Sequence, residues 1–390
     1  MAAVRRYEGF ADLLHERTHA HSGDVAFVSE VEGELRSVTW GQLAASVERR
    51  SKELTASGAS CEAIFCDGSL ANVVEVFACA LAGLQSVLIS GDAPADEAER
   101  QVRAGDADAV WPAARRDALA SALCPEPSAR CGRGRVLFFT SGTTSSAKAV
   151  ALTDASLMAS AWNGASLLAL GESDVVLNLL PISHVFGFVC GILWGLCCGA
   201  TVALGRGRRH LFDDARLFKP TVMPLVPALL RALMARGRLN DELSMVLIGA
   251  ASCPKELVEQ ARSRGIEVHC GYGLTETGSG VALSLGADTG ALTICPADSV
   301  RISDAGEVLV FSELCMMEGY YDDAARTARV LRRGWLSTGD RGYLDRAGLL
   351  HVEGRLNDVV VLGNGTKVNL PSCEERVRSV LGEDDFAIVR

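Results

Sequence analysis

The sequence predicts an α/β protein: two α/β subdomains with mixed, largely parallel sheets, a small β-barrel after them, and the start of a truncated α+β C-terminal unit. Three observations carry this. Helix-spaced and strand-like patterns alternate up to Ala282, after which short β-rich pieces separated by turn residues take over. The chain has 390 residues, 48% hydrophobic and 22% charged, a composition that folds and a length that holds two or three units with large cores.

Taken in order, residues 41–56 (GQLAASVERRSKELTA) space their apolar positions as a helix does, and Glu62 to Cys66 read as a short buried strand. A second helix follows over 70–84 and a second strand over 86–90, the βαβ rhythm of a parallel sheet. Residues 91–130, rich in Ala, Asp, Arg and Pro, have the weakest pattern and read as a hinge or solvated surface. The alternation returns at 174–180, 221–235 and 245–249. Between these lies an uncharged run from Val185 to Leu204, with Gly187, Gly191, Gly195 and Gly199 every four residues. Alone it imitates a membrane helix. A single glycine-heavy span without aromatic flanks is better read as a buried helix and strand, in which the glycines let a neighbouring element come close.

Hairpin-like pieces follow at 306–312, 334–340, 342–355 and 358–369, and place the β-barrel at about 283–354. The last segments, SCEERVRSVLG and DFAIVR, read as one helix and one strand of a further unit.

The net charge of −10 repels phosphate backbones and anionic membranes, so nucleic acid is not an expected partner, and no membrane span is expected. Thirteen cysteines, with no CxxC pair, fit reduced and mostly buried thiols, and the N-terminus lacks the apolar stretch of a signal peptide. A cytoplasmic location is the expectation. Lysine occurs at only five positions (Lys52, Lys148, Lys219, Lys255 and Lys367), so each merits a reason.

Lys148 closes the sharpest local feature, VLFFTSGTTSSAK. An apolar strand runs into Thr140, Ser141, Gly142, Thr143 and Thr144, where backbone N–H groups, hydroxyls and the lysine together suit phosphate oxygens. A Ser/Thr-rich turn between two elements is the plain alternative for such a segment on its own. Four later segments decide against it: LPISHVFGF (180–188), GYGLTETGSG (271–280), GWLSTGD (334–340) and EGRLNDVVVLGNGTKVN (353–369). With TSGTTSSAK they resemble, in order, the motifs of the adenylate-forming superfamily of acyl- and aryl-CoA ligases, peptide-synthetase adenylation domains and luciferases.

That resemblance implies a large ATP- and acid-binding domain over 1–354 and, from 355 to 390, a hinge and the beginning of a small C-terminal lid. It implies ATP-dependent activation of a carboxylic acid to an acyl-adenylate with release of pyrophosphate. Transfer to CoA, or to the phosphopantetheine of an acyl carrier protein, would follow. Lys148 and the 140–146 hydroxyls would hold the β- and γ-phosphates, Thr275 the α-phosphate and Glu276 the Mg²⁺. Asp340 and Arg355 would take the ribose, and Gly249, Ala250, Ala251, Tyr272 and Gly273 would wall the adenine. His184 would gate the acid pocket. SHVFGF offers no aspartate for a substrate ammonium, so an aryl or fatty acid is expected over an amino acid.

The chain departs from the family pattern in three places. Ser145, Ala147 and Ala149 replace Gly, Pro and Gly of the phosphate loop, Asn357 stands at the hinge position, and the chain ends at Arg390, before the lysine that the lid supplies. Lys367 is too close to the hinge to take that part. The chain is then either a piece of a longer protein or a short relative, and a non-catalytic nucleotide- or acyl-binding module is the alternative to a ligase.

Overall fold

The computed structural model describes residues 4–140, 148–236, 240–356, 359–361 and 367–369. Two sheets sandwich a helical layer. The first has six strands in the order Gly319–Tyr320, Lys148–Thr153, Arg135–Thr140, Gln85–Ser90, Cys61–Cys66 and Ala109–Trp111. The last four are parallel to one another, and the first two run antiparallel. The second sheet has nine strands with a parallel centre: Glu267–Leu274, Met245–Ile248, Val222–Leu225, Val175–Asn178, Thr201–Leu204 and Val25–Val31. Antiparallel strands extend it at both edges. The two α/β subdomains and their mixed, largely parallel sheets match the expected fold class.

Local chemistry sets the helices between the sheets. Helix Trp40–Ser57 opens on a capping box in which Thr39 and Gln42 satisfy each other's backbone N–H groups, and it stops at Gly58, whose φ of 72° suits a residue without Cβ. Helix Leu70–Ala82 buries Val73, Val76 and Phe77 and ends at Gly83 in the same left-handed way. Phe77 stacks on Phe10 at 4.2 Å, and Phe10 meets Phe188 edge-on at 6.1 Å. One apolar cluster thereby ties Leu88 and Phe138 of the first sheet to Val202 and Leu204 of the second.

The Val185–Leu204 run is a broken helix and a strand: Val185–Phe188, a π-helical stretch Val189–Leu193, Trp194–Cys198, and Thr201–Leu204. The glycines have the expected reason. A Cβ on Gly187 would lie 2.3 Å from the Pro181 carbonyl oxygen, and one on Gly191 2.3 Å from Oδ1 of Asn178. Among the described residues no helix is long and apolar enough to cross a membrane.

Residues 91–130 require a correction, because they are not a plain loop. Helix Ala95–Ala104 packs Ala98 and Val102 on the first sheet, and Ala109–Trp111 adds a parallel edge strand beside Cys61–Cys66. The β-rich region is a five-stranded antiparallel sheet with open edges, a half-barrel in form, built from Asp298–Ile302, Glu307–Ser312, Leu331–Arg332, Trp335–Leu344 and Leu350–Arg355.

Candidate active site

The site grows from the end of strand Glu267–Leu274. Its pairing with Ser279–Leu283 slips between Tyr272 and Gly273, a bulge that turns the following side chains out of the sheet. Only glycine fits at 273, where a Cβ would fall 1.5 Å from the Ser279 carbonyl oxygen. A 3₁₀ turn, Thr275–Thr277, comes next. The Thr277 hydroxyl accepts from the Leu274 N–H and donates to its carbonyl, both at 3.0 Å, and Gly278 leaves the turn at φ 67°. Thr275 and Glu276 thus stand on a pinned corner.

Polar contacts run both ways from that corner. The Tyr272 hydroxyl donates to Oδ2 of Asp340 at 2.8 Å, and Arg355, directly across the strand pair from Asp340, places Nε 3.1 Å from Oδ1. Asp340 is only 6% exposed, and burial pushes its pKa above the usual aspartate value against the opposing pull of Arg355. In the other direction Tyr320 donates to Oε1 of Glu276 at 2.7 Å, and the ring of Tyr320 lies 5.5 Å from Nζ of Lys148. Burial and then the Glu276 charge raise the Tyr320 pKa, so its hydroxyl stays protonated and donating. The structure therefore links Asp340, Arg355, Tyr272, Glu276 and Lys148 into one line that spans the half-barrel, the nine-stranded sheet and the six-stranded sheet.

Glu276 is half-buried, and its Oε2 has no hydrogen-bond partner among the described residues. A pinned carboxylate with one open oxygen fits a hard divalent cation that takes its other ligands from phosphate and water.

Gly249, Ala250 and Ala251 follow strand Met245–Ile248 at the carboxyl end of the parallel strands, where open α/β sheets hold ligands. Gly249 touches Phe186, whose ring a Cβ would approach to 2.6 Å, and Ala250 takes a left-handed φ of 66° that costs an L-residue about 1 kcal/mol. His184 precedes helix Val185–Phe188 and is exposed, with no side-chain partner among the described residues; desolvation by its surroundings lowers its pKa. Thr140 ends its strand directly opposite Lys148. Ser141, Gly142, Thr143 and Thr144 lie outside the described residues, as do Ser145, Ala147 and Asn357.

Beside the corner, a cavity of about 360 Å³ is lined by Ser160, Val189, Cys190, Trp194, Gly280 and Leu283 among others, with no charged side chain. Trp194 gives its indole N–H to the Leu168 carbonyl at 2.9 Å, leaving an apolar ring as wall. His184 is not among the lining residues.

Residues 126–321 match the model of the family described as AMP-binding enzyme, half of the chain. The chain belongs to the AMP-binding enzyme family. Within that family it is 28% identical to the indoleacetate–CoA ligase of Aromatoleum aromaticum, over 90% of this chain and 80% of that protein. It is 37% identical to the 2-succinylbenzoate–CoA ligase of Salmonella typhimurium over 57% of this chain and 48% of that one, so it spans about half the length of such relatives. The fold matches O-succinylbenzoate coenzyme A synthetase from Bacillus subtilis, solved with ATP and magnesium ion, with a TM-score of 0.82, 23% identity, and coverage of 94% of this chain and 84% of that one.

Two members of this family site escape sequence reasoning. Tyr320 sits in MMEGYYDD, without periodic context, and only the pairing of Gly319–Tyr320 with the Lys148 strand brings it to Glu276. Phe186 reads as one more apolar residue of a buried run until Gly249 is seen against its ring.

Proposed function

We propose that the chain catalyses ATP-dependent activation of a carboxylic acid and transfer of the acyl group to coenzyme A. The observation that carries this reading is the pair of contact chains, Asp340 to Tyr272 and Glu276 to Tyr320 to Lys148, that leave the two ends of the 272–276 segment. It lays a diol acceptor, a cation ligand and a fixed positive charge in the sequence that a nucleoside triphosphate presents them.

In the first step a carboxylate oxygen attacks the α-phosphorus, and the bond to the bridging oxygen breaks as pyrophosphate leaves. Lys148, with Thr140 and the 141–146 segment, offsets charge on the leaving group, and Thr275 donates to the α-phosphate. Glu276 would hold Mg²⁺, which when bound neutralises phosphate charge. Asp340 and Arg355 hold the ribose; each Asp340 oxygen has a lone pair beyond its present bond. Gly249, Ala250, Ala251, Tyr272 and Gly273 form the adenine slot. In the second step the thiol of coenzyme A attacks the acyl carbon, loses its proton, and AMP leaves. Residues 1–354 are the binding body in this reading, with the hinge beginning at 355.

The uncharged cavity beside Gly280 suits an acid with an apolar body. The relatives that take indoleacetate and 2-succinylbenzoate favour an aryl acid. His184, exposed and neutral at pH 7, stands at the outer side of the same helical run and serves as gate.

Pyrophosphate release and hydroxylamine trapping with ATP, Mg²⁺ and a panel of aryl, fatty and amino acids test this. Signal with aryl acids and none with amino acids is expected. ATP binding by calorimetry with no pyrophosphate from any acid would overturn it.

A further inference from the structure

Away from this site, two thiols meet at the edge of the six-stranded sheet. Cys61 begins strand Cys61–Cys66 and is fully buried; Cys131 lies in the turn that leads into Arg135–Thr140 and is half-exposed. Gln85, opposite Cys61 in the parallel register, points its amide Nε2 to Cys61 Sγ at 3.5 Å and to Cys131 Sγ at 3.7 Å. The Gly132 N–H holds the turn on Gln85 Oε1 at 3.3 Å. The Tyr321 hydroxyl stands 3.8 Å from Cys131 Sγ, and the Cys61 thiol donates to the Gly105 carbonyl at 3.3 Å. The outer sulfur is half-exposed, the inner one is fully buried, and one amide nitrogen lies within reach of both.

Four acids and two arginines stand around the pair. Asp106 accepts from Tyr321 at 2.9 Å and pairs with Arg130 at 2.6 Å, and Arg130 also pairs with Asp322. Asp108 accepts from the Ser60 and Cys61 N–H groups, and Arg135, bound to Glu318, reaches Gln85 Oε1 at 3.4 Å. The neighbouring Cys61 thiol draws the Cys131 thiol down to about 6, against partial burial and the Asp106 charge. Burial, with Cys131 beside it, pushes Cys61 the other way. Burial raises several other thiols: Cys190 to about 11, Cys197 and Cys315 to about 12.

We propose that Cys131 is a peroxide-reactive thiol and Cys61 its resolving partner, so that this corner is a modification site that closes to an intramolecular disulfide. The Cys131 thiolate attacks a hydroperoxide oxygen and the O–O bond breaks; Cys131 becomes a sulfenic acid, oxidised by two electrons, and the peroxide is reduced to hydroxide. Cys61 then attacks the sulfenic sulfur, its proton leaves with the hydroxyl as water, and the S–S bond forms. Tyr321, which stands beside Cys131, directly follows Tyr320, whose hydroxyl holds Glu276.

The test treats the chain with hydrogen peroxide, alkylates free thiols and identifies peptides by mass spectrometry. A Cys61–Cys131 linked peptide is expected in the native chain. Cys61→Ala should accumulate a dimedone adduct on Cys131, and Cys131→Ser should leave Cys61 reduced. At pH 6, iodoacetamide should modify Cys131 about tenfold faster than Cys198, whose thiol is raised by burial. Cys131 still fully alkylatable after peroxide, a dimedone adduct on Cys61, or equal alkylation rates for Cys131 and Cys198 would each overturn the proposal.

Discussion

Glu276 and Asp340 stand at the rim of the crevice over the nine-stranded sheet, and Glu62 and Glu75 stand in the core beside the six-stranded one. Both pairs answer to an arginine, yet their oxygens are left in different states. Arg50 grips Glu75 with Nε at 2.7 and 3.0 Å and reaches Glu62 at 3.3 Å; Glu62 also accepts from the Cys79 thiol at 3.3 Å. Burial, then the neighbouring Glu75, raises the Glu62 pKa to about 9, so at neutral pH Glu62 is an acid beside Glu75 and Arg50, and Arg50 also reaches Glu53 at 3.1 Å. These three side chains, Glu62, Glu75 and Cys79, are close enough to ligate a cation, but the arginine and the shared proton already fill that place. Glu276, by contrast, spends one oxygen on Tyr320, and its other has no hydrogen-bond partner among the described residues. Carboxylates that complete their contacts internally hold the fold together, and a carboxylate held by one contact is available to a ligand.

The largest effect that separates the two pairs is on turnover. Glu276→Gln should lower Mg²⁺-dependent pyrophosphate release by about 10²–10³-fold, the loss typical of one group that stabilises transition-state charge, with thermal unfolding unchanged. Unchanged activity would mean the metal role is misassigned.

The contrast was partly legible in the sequence. Glu276 and Asp340 fall in YGLTETG and WLSTGD, where glycines flank the acid, and the helix-spaced run at 41–56 and the alternating apolar runs after it announce the helices and strands around Arg50. Nothing local announces the Glu62–Glu75–Arg50 cluster, because its members come from a strand and two helices that meet only in the folded core. Helix Ala95–Ala104 stayed hidden for a related reason: Ala98, Gln101 and Val102 are all that it buries, too little apolar pattern to show through the charged residues. Tyr320 became a site residue only through the strand pairing that seats it against Lys148.

In the core pair the expected effect is on stability. Glu75→Gln leaves the Arg50 charge without its closest carboxylate and should cost about 3 kcal/mol in chemical denaturation, whereas Glu62→Gln, neutral for neutral in the folded state and free of the ionisation that favours the unfolded acid, should not destabilise the chain at pH 7. The pH dependence has a definite sign. A carboxyl whose pKa rises on folding stabilises while it is protonated, so the Glu62 contribution is complete below the unfolded value near ~4 and fades as pH rises toward about 9. Equal losses for the two variants would break the assignment of the proton to Glu62.

Asp298 lies between the two cases. Asn163 donates to its Oδ2 at 2.6 Å, its Oδ1 is buried without a partner, and burial raises its pKa to about 6. Its contribution is therefore lost between pH ~4 and about 6, at most about 2–3 kcal/mol for a shift of this size. Asp298→Asn should flatten the stability profile in that window and leave the variant more stable than the native chain at pH 7. A profile that keeps its slope would locate the titration elsewhere.

Tyr320→Phe is the finest probe of the comparison, because it alters no charge. Without the phenol hydroxyl, Glu276 keeps its carboxylate and its place on the 3₁₀ turn, and Lys148 keeps an aromatic face. The variant loses one neutral-to-charged hydrogen bond, worth about 1.5 kcal/mol, which corresponds to roughly a tenfold loss if the bond orients Glu276 for the cation. The loss should appear as a raised Mg²⁺ requirement, with the maximal rate at saturating Mg²⁺ nearly restored, since the metal then imposes the orientation that the tyrosine supplied. A fall in maximal rate that no amount of Mg²⁺ recovers would place Tyr320 on the phosphates instead of behind Glu276.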